Sequence, residues 1–352
     1  MTVKEAYEIG KKQLQAAGIR EFEIDAFYLL EYVTGITRAK FYVDYEKKLA
    51  DGQVKRYKEI LAKRAKRIPL QHLTGEQEFM GLSFSVNEDV LIPRQDTEVL
   101  VEAALEIIWN QASMAELFIN RSEKGKQKVG WQQRVGAQEQ VFSFLDMCTG
   151  SGCILLSILK HSYGKMLQAY AKKSEIAQPN KCNNVLPREC PAIFTKIEGT
   201  GVDVSENALK VAKKNVNRIF PELASGGFED EIGITLLQSD LFNKVFGKFH
   251  LIVSNPPYIG TFEFGQLAEE VRCHEPRVAL VGGDDGLWYY RRIIKESKEY
   301  LLPGGHLLLE IGATGGREVS DLMRYHGYKK VKITKDLTGF DRIVQGQYHS
   351  LS

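Results

Sequence analysis

The sequence predicts an α/β protein, a doubly wound parallel sheet with an antiparallel C-terminal edge hairpin, preceded by a small all-helical N-terminal domain. Three observations carry that expectation. From Phe142 onward, apolar strand-like runs alternate with amphipathic stretches, the pattern of a parallel sheet wrapped by helices. The last two runs instead flank Leu337-Thr338-Gly339-Phe340, which predicts an antiparallel pair. Residues 1–75 repeat apolar residues at helical spacing.

In the helical segment, Ala26, Leu29, Leu30 and Val33 recur on one face, as do Val54, Tyr57 and Leu61, and Gly18 and Gly35 mark breaks. Between Gly75 and Pro93 the pattern changes to Phe79, Leu82, Phe84 and Val86 around Gly81, which predicts a short hairpin. Residues 76–95 therefore read as a linker and 96–352 as the second domain. Parallel strands are expected at 142–147, 200–202, 234–237, 249–253 and 306–310, with 329–334 and 341–345 as the antiparallel pair. Two polar stretches, 111–138 and 161–192, fit no element and read as insertions on surface loops.

A chain of 352 residues is comfortable for two domains and long enough to bury a sizeable core. The formal net charge of +2 gives no electrostatic case for a nucleic-acid binder and does not exclude one. Five cysteines, an odd number, and a polar N-terminus without a signal-peptide core predict reduced thiols and a cytoplasmic location. No apolar run approaches the roughly 18 residues of a membrane span. Cys182 and Cys190 are widely spaced and the seven histidines show no metal-ligand spacing, so no metal is expected.

The chemistry concentrates at strand ends. Asn255-Pro256-Pro257-Tyr258 follows the apolar run ending at Ser254, and its prolines stiffen the backbone. The Asn255 side-chain oxygen, the Pro256 carbonyl and the Tyr258 ring make a cradle for a planar NH2 group. Cys148-Thr149-Gly150-Ser151-Gly152 lies between a strand and a helix, where small residues let backbone N–H groups approach a nucleotide-like cofactor; a simple tight turn fits the same residues. Asp203, at the end of the next strand, suits ribose hydroxyls or an N-cap. Asp240, ending a third, suits an adenine amino group flanked by apolar Leu241, or a loop cap. Together these strand ends converge on the carboxyl edge of one sheet, where open α/β folds bind ligands.

These residues resemble class I S-adenosylmethionine-dependent methyltransferases, and among them the HemK/PrmC family of release factor glutamine methyltransferases. Further matching stretches are Leu91 to Glu98 with Ile92-Pro93-Arg94, His274-Glu275-Pro276-Arg277, Gly283-Asp284-Asp285-Gly286, Pro303-Gly304-Gly305 leading to Leu309-Glu310-Ile311-Gly312, and Asp336-Leu337-Thr338-Gly339. Nearly the whole chain is covered except the two insertions. One departure is Cys148, where the family usually opens its cofactor loop with glycine. Another is the long spacing from Gly152 to Asp203, which the second insertion absorbs.

The resemblance implies a Rossmann-like class I fold, S-adenosylmethionine as donor (leaving S-adenosylhomocysteine), and the glutamine of a Gly-Gly-Gln motif in class I peptide chain release factors as acceptor, with 1–75 as the substrate-docking domain. It implies catalysis by Asn255, Pro256 and Tyr258, acceptor binding by these and Pro257, and cofactor binding by Cys148, Thr149, Gly150, Ser151, Gly152, Asp203, Asp240, Leu241 and Asn255. Arg94, Asp96, Thr97 and Glu98 are expected near the cofactor or the acceptor mouth, Asp96 and Thr97 equally as caps. Glu275 and Arg277 are expected to pair structurally or else to guide the acceptor loop. The rival readings are a methyltransferase for the exocyclic amine of adenine or guanine, and a non-catalytic cofactor-binding module.

Overall fold

The computed structural model describes residues 1–123, 141–176, 194, 196–225 and 231–349. Helices α1 (Val3–Ala16), α2 (Phe22–Thr34), α3 (Arg38–Val43), α4 (Asp51–Arg64) and α5 (Leu70–Thr74) form the first unit. A capping box opens α1, the Thr2 hydroxyl accepting from the Glu5 N–H at 3.2 Å and Glu5 accepting from the Thr2 N–H at 2.8 Å, which satisfies two otherwise orphaned donors. Gly35 ends α2 in the left-handed conformation, as its position in the sequence predicts. Leu14, Leu29, Leu30, Tyr57 and Leu61 form the fully buried centre of this unit. Tyr57 keeps its polar end satisfied by donating to the Ala26 carbonyl at 3.0 Å.

Strands β1 (Glu76–Phe79) and β2 (Leu82–Ser85) pair antiparallel through a two-residue turn, Met80-Gly81, with positive φ at both residues. That backbone matches the twist of the flanking strands. Asn215 holds the hairpin in place: its side chain accepts from the Ser85 N–H at 2.7 Å and donates to the Ser85 carbonyl at 3.0 Å and the Ser151 carbonyl at 2.9 Å.

The remaining strands are β3 (Val141–Met147), β4 (Lys196–Asp203), β5 (Ile232–Gln238), β6 (Phe249–Ser254), β7 (Leu301–Glu310), β8 (Lys329–Lys335) and β9 (Asp341–Gln347). They form one seven-stranded sheet in the order β5-β4-β3-β6-β7-β9-β8. The first five are parallel, and β9 runs antiparallel to both β7 and β8. Helices α6 (Glu98–Glu123), α7 (Cys153–Ile176), α8 (Glu206–Ile219), α9 (Thr261–Phe264), α10 (Glu269–His274), α11 (Trp288–Glu296) and α12 (Gly316–Tyr325) connect them. Alternate strand residues feed two cores, Phe142, Phe144, Leu251 and Val253 on one face, and Leu145, Met147, Ile252 and Leu309 on the other. The chain winds outward in both directions from β3, so the switch point lies between β3 and β6 and opens a crevice at their carboxyl ends.

Two expectations change. The stretches 111–123 and 161–176 are helical, the ends of α6 and α7, rather than loops; their polarity is that of good helix formers continuing an established helix. Residues 124–138 and 177–192, with Cys182 and Cys190, lie outside the described residues. Strand β4 is also longer than the expected 200–202, since it begins at Lys196 and runs through Gly199; a side chain at Gly199 or Gly201 would meet Leu155 at 2.7 or 2.9 Å. Their lack of side chains suits the packing and hides the strand from an apolar pattern.

Candidate active site

The crevice holds a cavity of about 320 Å³, lined by the turn after β3, the ends of β4 and β5, Asn255 and Pro257, and the segment Asp89 to Thr97. The turn is shaped by Asp146, which is fully buried and accepts from the Thr149 hydroxyl at 2.6 Å and the Leu155 N–H at 3.1 Å. Burial pushes the Asp146 carboxyl up to about 7 against those bonds. Cys148 stands at φ +63, a left-handed conformation that glycine adopts freely. Thr149 anchors the turn by donating its N–H to Val202 at 2.9 Å.

Asp203 joins this turn to the start of α8. Its oxygens accept from the Gly150 N–H and the Ser205 N–H, both at 2.9 Å. Burial raises its pKa while these backbone donors oppose the rise. The N-cap alternative goes to Ser205, whose hydroxyl accepts from the Ala208 N–H at 3.2 Å. Asp240 lines the cavity and makes no side-chain cap; it accepts from Arg292 at 2.9 Å. Leu241 is buried on the wall. Trp288 and Tyr289 line the same cavity, a contribution without a motif to announce it.

Asn255 lines this cavity and also a smaller one of about 120 Å³, shared with Leu91, Arg94, Tyr258 and Glu310. Its Nδ2 donates to the Thr97 hydroxyl at 3.3 Å, so Thr97 serves Asn255 rather than capping a helix. Pro257 lines the large cavity and Tyr258 the small one, while Gly152 and Pro256 line neither. The Tyr258 hydroxyl is pushed up to about 12 by burial and then by Glu310, so it stays protonated at neutral pH. The Asn255–Tyr258 backbone is clamped from behind: a side chain at Gly282 would lie 2.4 Å from the Pro257 carbonyl, and one at Gly286 2.3 Å from that of Tyr258.

The expected Glu275–Arg277 pair does not form. Glu275 is buried, pairs with Arg94 and accepts from the Ile92 N–H at 3.2 Å, while the Arg277 guanidinium lies over the Phe264 ring at 4.6 Å. Asp96 pairs with Arg342 at 3.1 Å. Glu98 accepts from the Met80 N–H at 2.7 Å, tying α6 to the hairpin. Among the described residues no cluster of three or more His, Cys, Asp or Glu is arranged to hold a metal, and no helix is long and apolar enough to cross a membrane.

A family described as the PrmC N-terminal domain matches residues 5–75. A release factor glutamine methyltransferase from Clostridium acetobutylicum is 33% identical over 98% of this chain and 98% of its own length. One from Moorella thermoacetica is 34% identical over 97% of each chain, and one from Geobacter sulfurreducens 31% over 98% of this chain and 96% of its own. With identity above 30% along nearly the full length of both partners, the chain belongs to the release factor glutamine methyltransferase family.

Proposed function

We propose that this methyltransferase moves the methyl group of S-adenosylmethionine to the side-chain amide nitrogen of the glutamine in a Gly-Gly-Gln motif of class I peptide chain release factors. The observation that carries this reading is Asn255 standing between a cavity of about 320 Å³ and one of about 120 Å³. The first has the size of a small-ligand site and the features a nucleoside donor needs. Backbone N–H groups lie in a tight turn, the half-buried Asp203 carboxylate lines the cavity, and apolar Leu241 forms part of the wall. The second is narrow and ends on Tyr258 and Glu310, which suits a slender amide side chain.

S-adenosylmethionine, when bound, supplies an electrophilic methyl group on a positively charged sulfur. Cys148, Thr149, Gly150, Ser151 and Asp203 would hold the donor, with Asp240, Leu241, Trp288 and Tyr289 around its far end. The chain's own contribution to the transfer is positioning. The Asn255 side-chain oxygen accepts one hydrogen of the acceptor NH2 and lines the nitrogen up with the methyl carbon. Loss of amide conjugation is favoured by that hydrogen bond, and Tyr258 packs against the amide plane. As the new N–C bond forms and the S–C bond breaks, the surplus proton on nitrogen leaves to water. Pro256, which lines neither cavity, contributes through its backbone carbonyl in this reading.

The helical segment 1–75 is assigned to docking the release factor, with Tyr28, Tyr32, Tyr42 and Val43 exposed on it, since exposed aromatic residues are favoured anchors at interfaces. The reading implies a cytoplasmic role in translation termination. The test is transfer of labelled methyl to a release factor, with the Gly-Gly-Gln glutamine then replaced. Label should disappear with that replacement, and Asn255→Ala should lower kcat by about 10²-fold or more with the donor still bound. Label that persists without the glutamine, or near-normal turnover in Asn255→Ala, refutes the reading.

A further inference from the structure

Glu310 ends β7, the neighbour of the strand that leads into Asn255. Its neighbours in sequence, Leu307, Leu308, Leu309 and Ile311, are fully buried hydrophobic residues, and Glu310 itself is only 2% exposed. An acid at such a place is costly unless its oxygens are used. The Thr97 and Asn255 side chains both favour the charged form of this carboxyl against its burial, while its Oε2 has no partner among the described residues. The same residue reaches the wall of the small cavity beside Asn255 and Tyr258.

An asparagine amide has two donors on nitrogen and only acceptors on oxygen, so its orientation decides what it offers a ligand. Here Nδ2 donates to the Thr97 hydroxyl at 3.3 Å, and Glu310 lines the small cavity beside it. The Thr97 hydroxyl accepts from Asn255 and keeps its own hydrogen to offer the Glu310 carboxyl. In its ionised form, favoured above the value of about 7 to which burial pushes it, Glu310 has no hydrogen to return and the chain of donors runs one way.

We propose that Glu310 is a positioning residue for methyl transfer: its carboxylate, with the Thr97 hydroxyl, locks the Asn255 amide with Nδ2 inward and Oδ1 facing the acceptor nitrogen. Turned over, Asn255 would set its own NH2 against the acceptor NH2, donor against donor, and the acceptor would lose its hydrogen bond and its line of attack. The inference rests on the reading that Asn255 faces an acceptor amide.

Glu310→Gln keeps the shape and supplies an NH2 that competes for the Asn255 oxygen. The protein is labelled with 15N at asparagine, and the Asn255 side-chain resonances are identified by their loss in Asn255→Ala. In the unsubstituted protein the two Nδ2 protons should be well separated and shifted downfield. In Glu310→Gln they should move toward free-amide positions. The kcat for release factor methylation should fall about 10²-fold, the loss expected of a misplaced catalytic group, with KM and donor affinity within threefold. Thr97→Val, which removes the hydroxyl acceptor of Nδ2, should move the same resonances, so the result does not depend on one variant folding. Unmoved Asn255 resonances in both variants, or kcat within threefold in Glu310→Gln, overturn the proposal. Absence of release factor methylation by the unsubstituted protein counts against the proposed acceptor instead, and the resonances still decide the orientation of Asn255.

Discussion

Arg64 joins the helical unit to the rest of the chain, and removing it should cost more than an ordinary ion pair. Its Nε donates to Asp25 at 2.6 Å, Nη2 to Glu270 on α10 at 2.9 Å, and Nη1 to the Ile68 carbonyl at 3.1 Å. The two acids are not equivalent. The Glu270 side chain is 30% exposed and water can replace its partner, whereas Asp25 is 3% exposed. In Arg64→Met the Glu270 arm should contribute only about 0.5 kcal/mol, while Asp25 is left as an uncompensated buried charge at about 3–5 kcal/mol. The pH dependence separates the two. Burial raises the Asp25 pKa and Arg64 opposes the rise. A carboxyl with a raised folded-state pKa favours folding most at low pH and progressively less as pH climbs through that value. Without Arg64 the Asp25 pKa rises further, so the deficit should be greatest at neutral pH and narrow on acidification. Urea unfolding followed by far-ultraviolet circular dichroism, at a series of pH values, measures this directly. Adding Asp25→Asn to Arg64→Met should recover most of the loss. A deficit below about 1 kcal/mol at neutral pH, the range of exposed pairs, or one that widens on acidification, would refute the argument.

Two further outcomes follow from the site. Asp203→Asn keeps one acceptor but sets an NH2 against the Gly150 or Ser205 N–H, both now at 2.9 Å from the carboxylate; calorimetry should show donor affinity reduced about tenfold or more, and affinity within twofold would count against Asp203 as a cofactor residue. Replacing Tyr42 and Val43, which are 72% and 84% exposed, by aspartate should raise KM for the release factor and leave donor affinity unchanged, because these side chains carry little of the fold. Unaltered KM would remove this surface from the docking role.

The parts of the fold legible in the sequence are those with local signals. Apolar runs with small or acidic residues at their ends locate the turn after β3 and place Asp203, Asp240 and Asn255 at one edge. Composition misreads the ends of α6 and α7 because lysine, glutamine and serine suit a solvated helix as well as a loop. It also shortens β4, whose glycines are packing partners rather than breaks. The connections that give the site its shape are harder to see. Thr97 and Asn255 are 158 residues apart, and Glu275 pairs with Arg94 instead of nearby Arg277. Such partners are chosen by where the topology returns the chain, a choice that spacing along the sequence does not encode.

The extended helices α6 and α7 have a consequence for how this protein tolerates change. Both begin at the edge of the sheet that carries the site, at Glu98 and Cys153, and run back past the strands before the chain enters β3 at Val141 and β4 at Lys196. The last turns of both helices and the first residues of β3 and β4 therefore lie at the opposite edge. Length can be gained or lost there while the residues that meet the ligands keep their places. For an engineer, that edge is where a tag, a sensor or a second domain is best grafted.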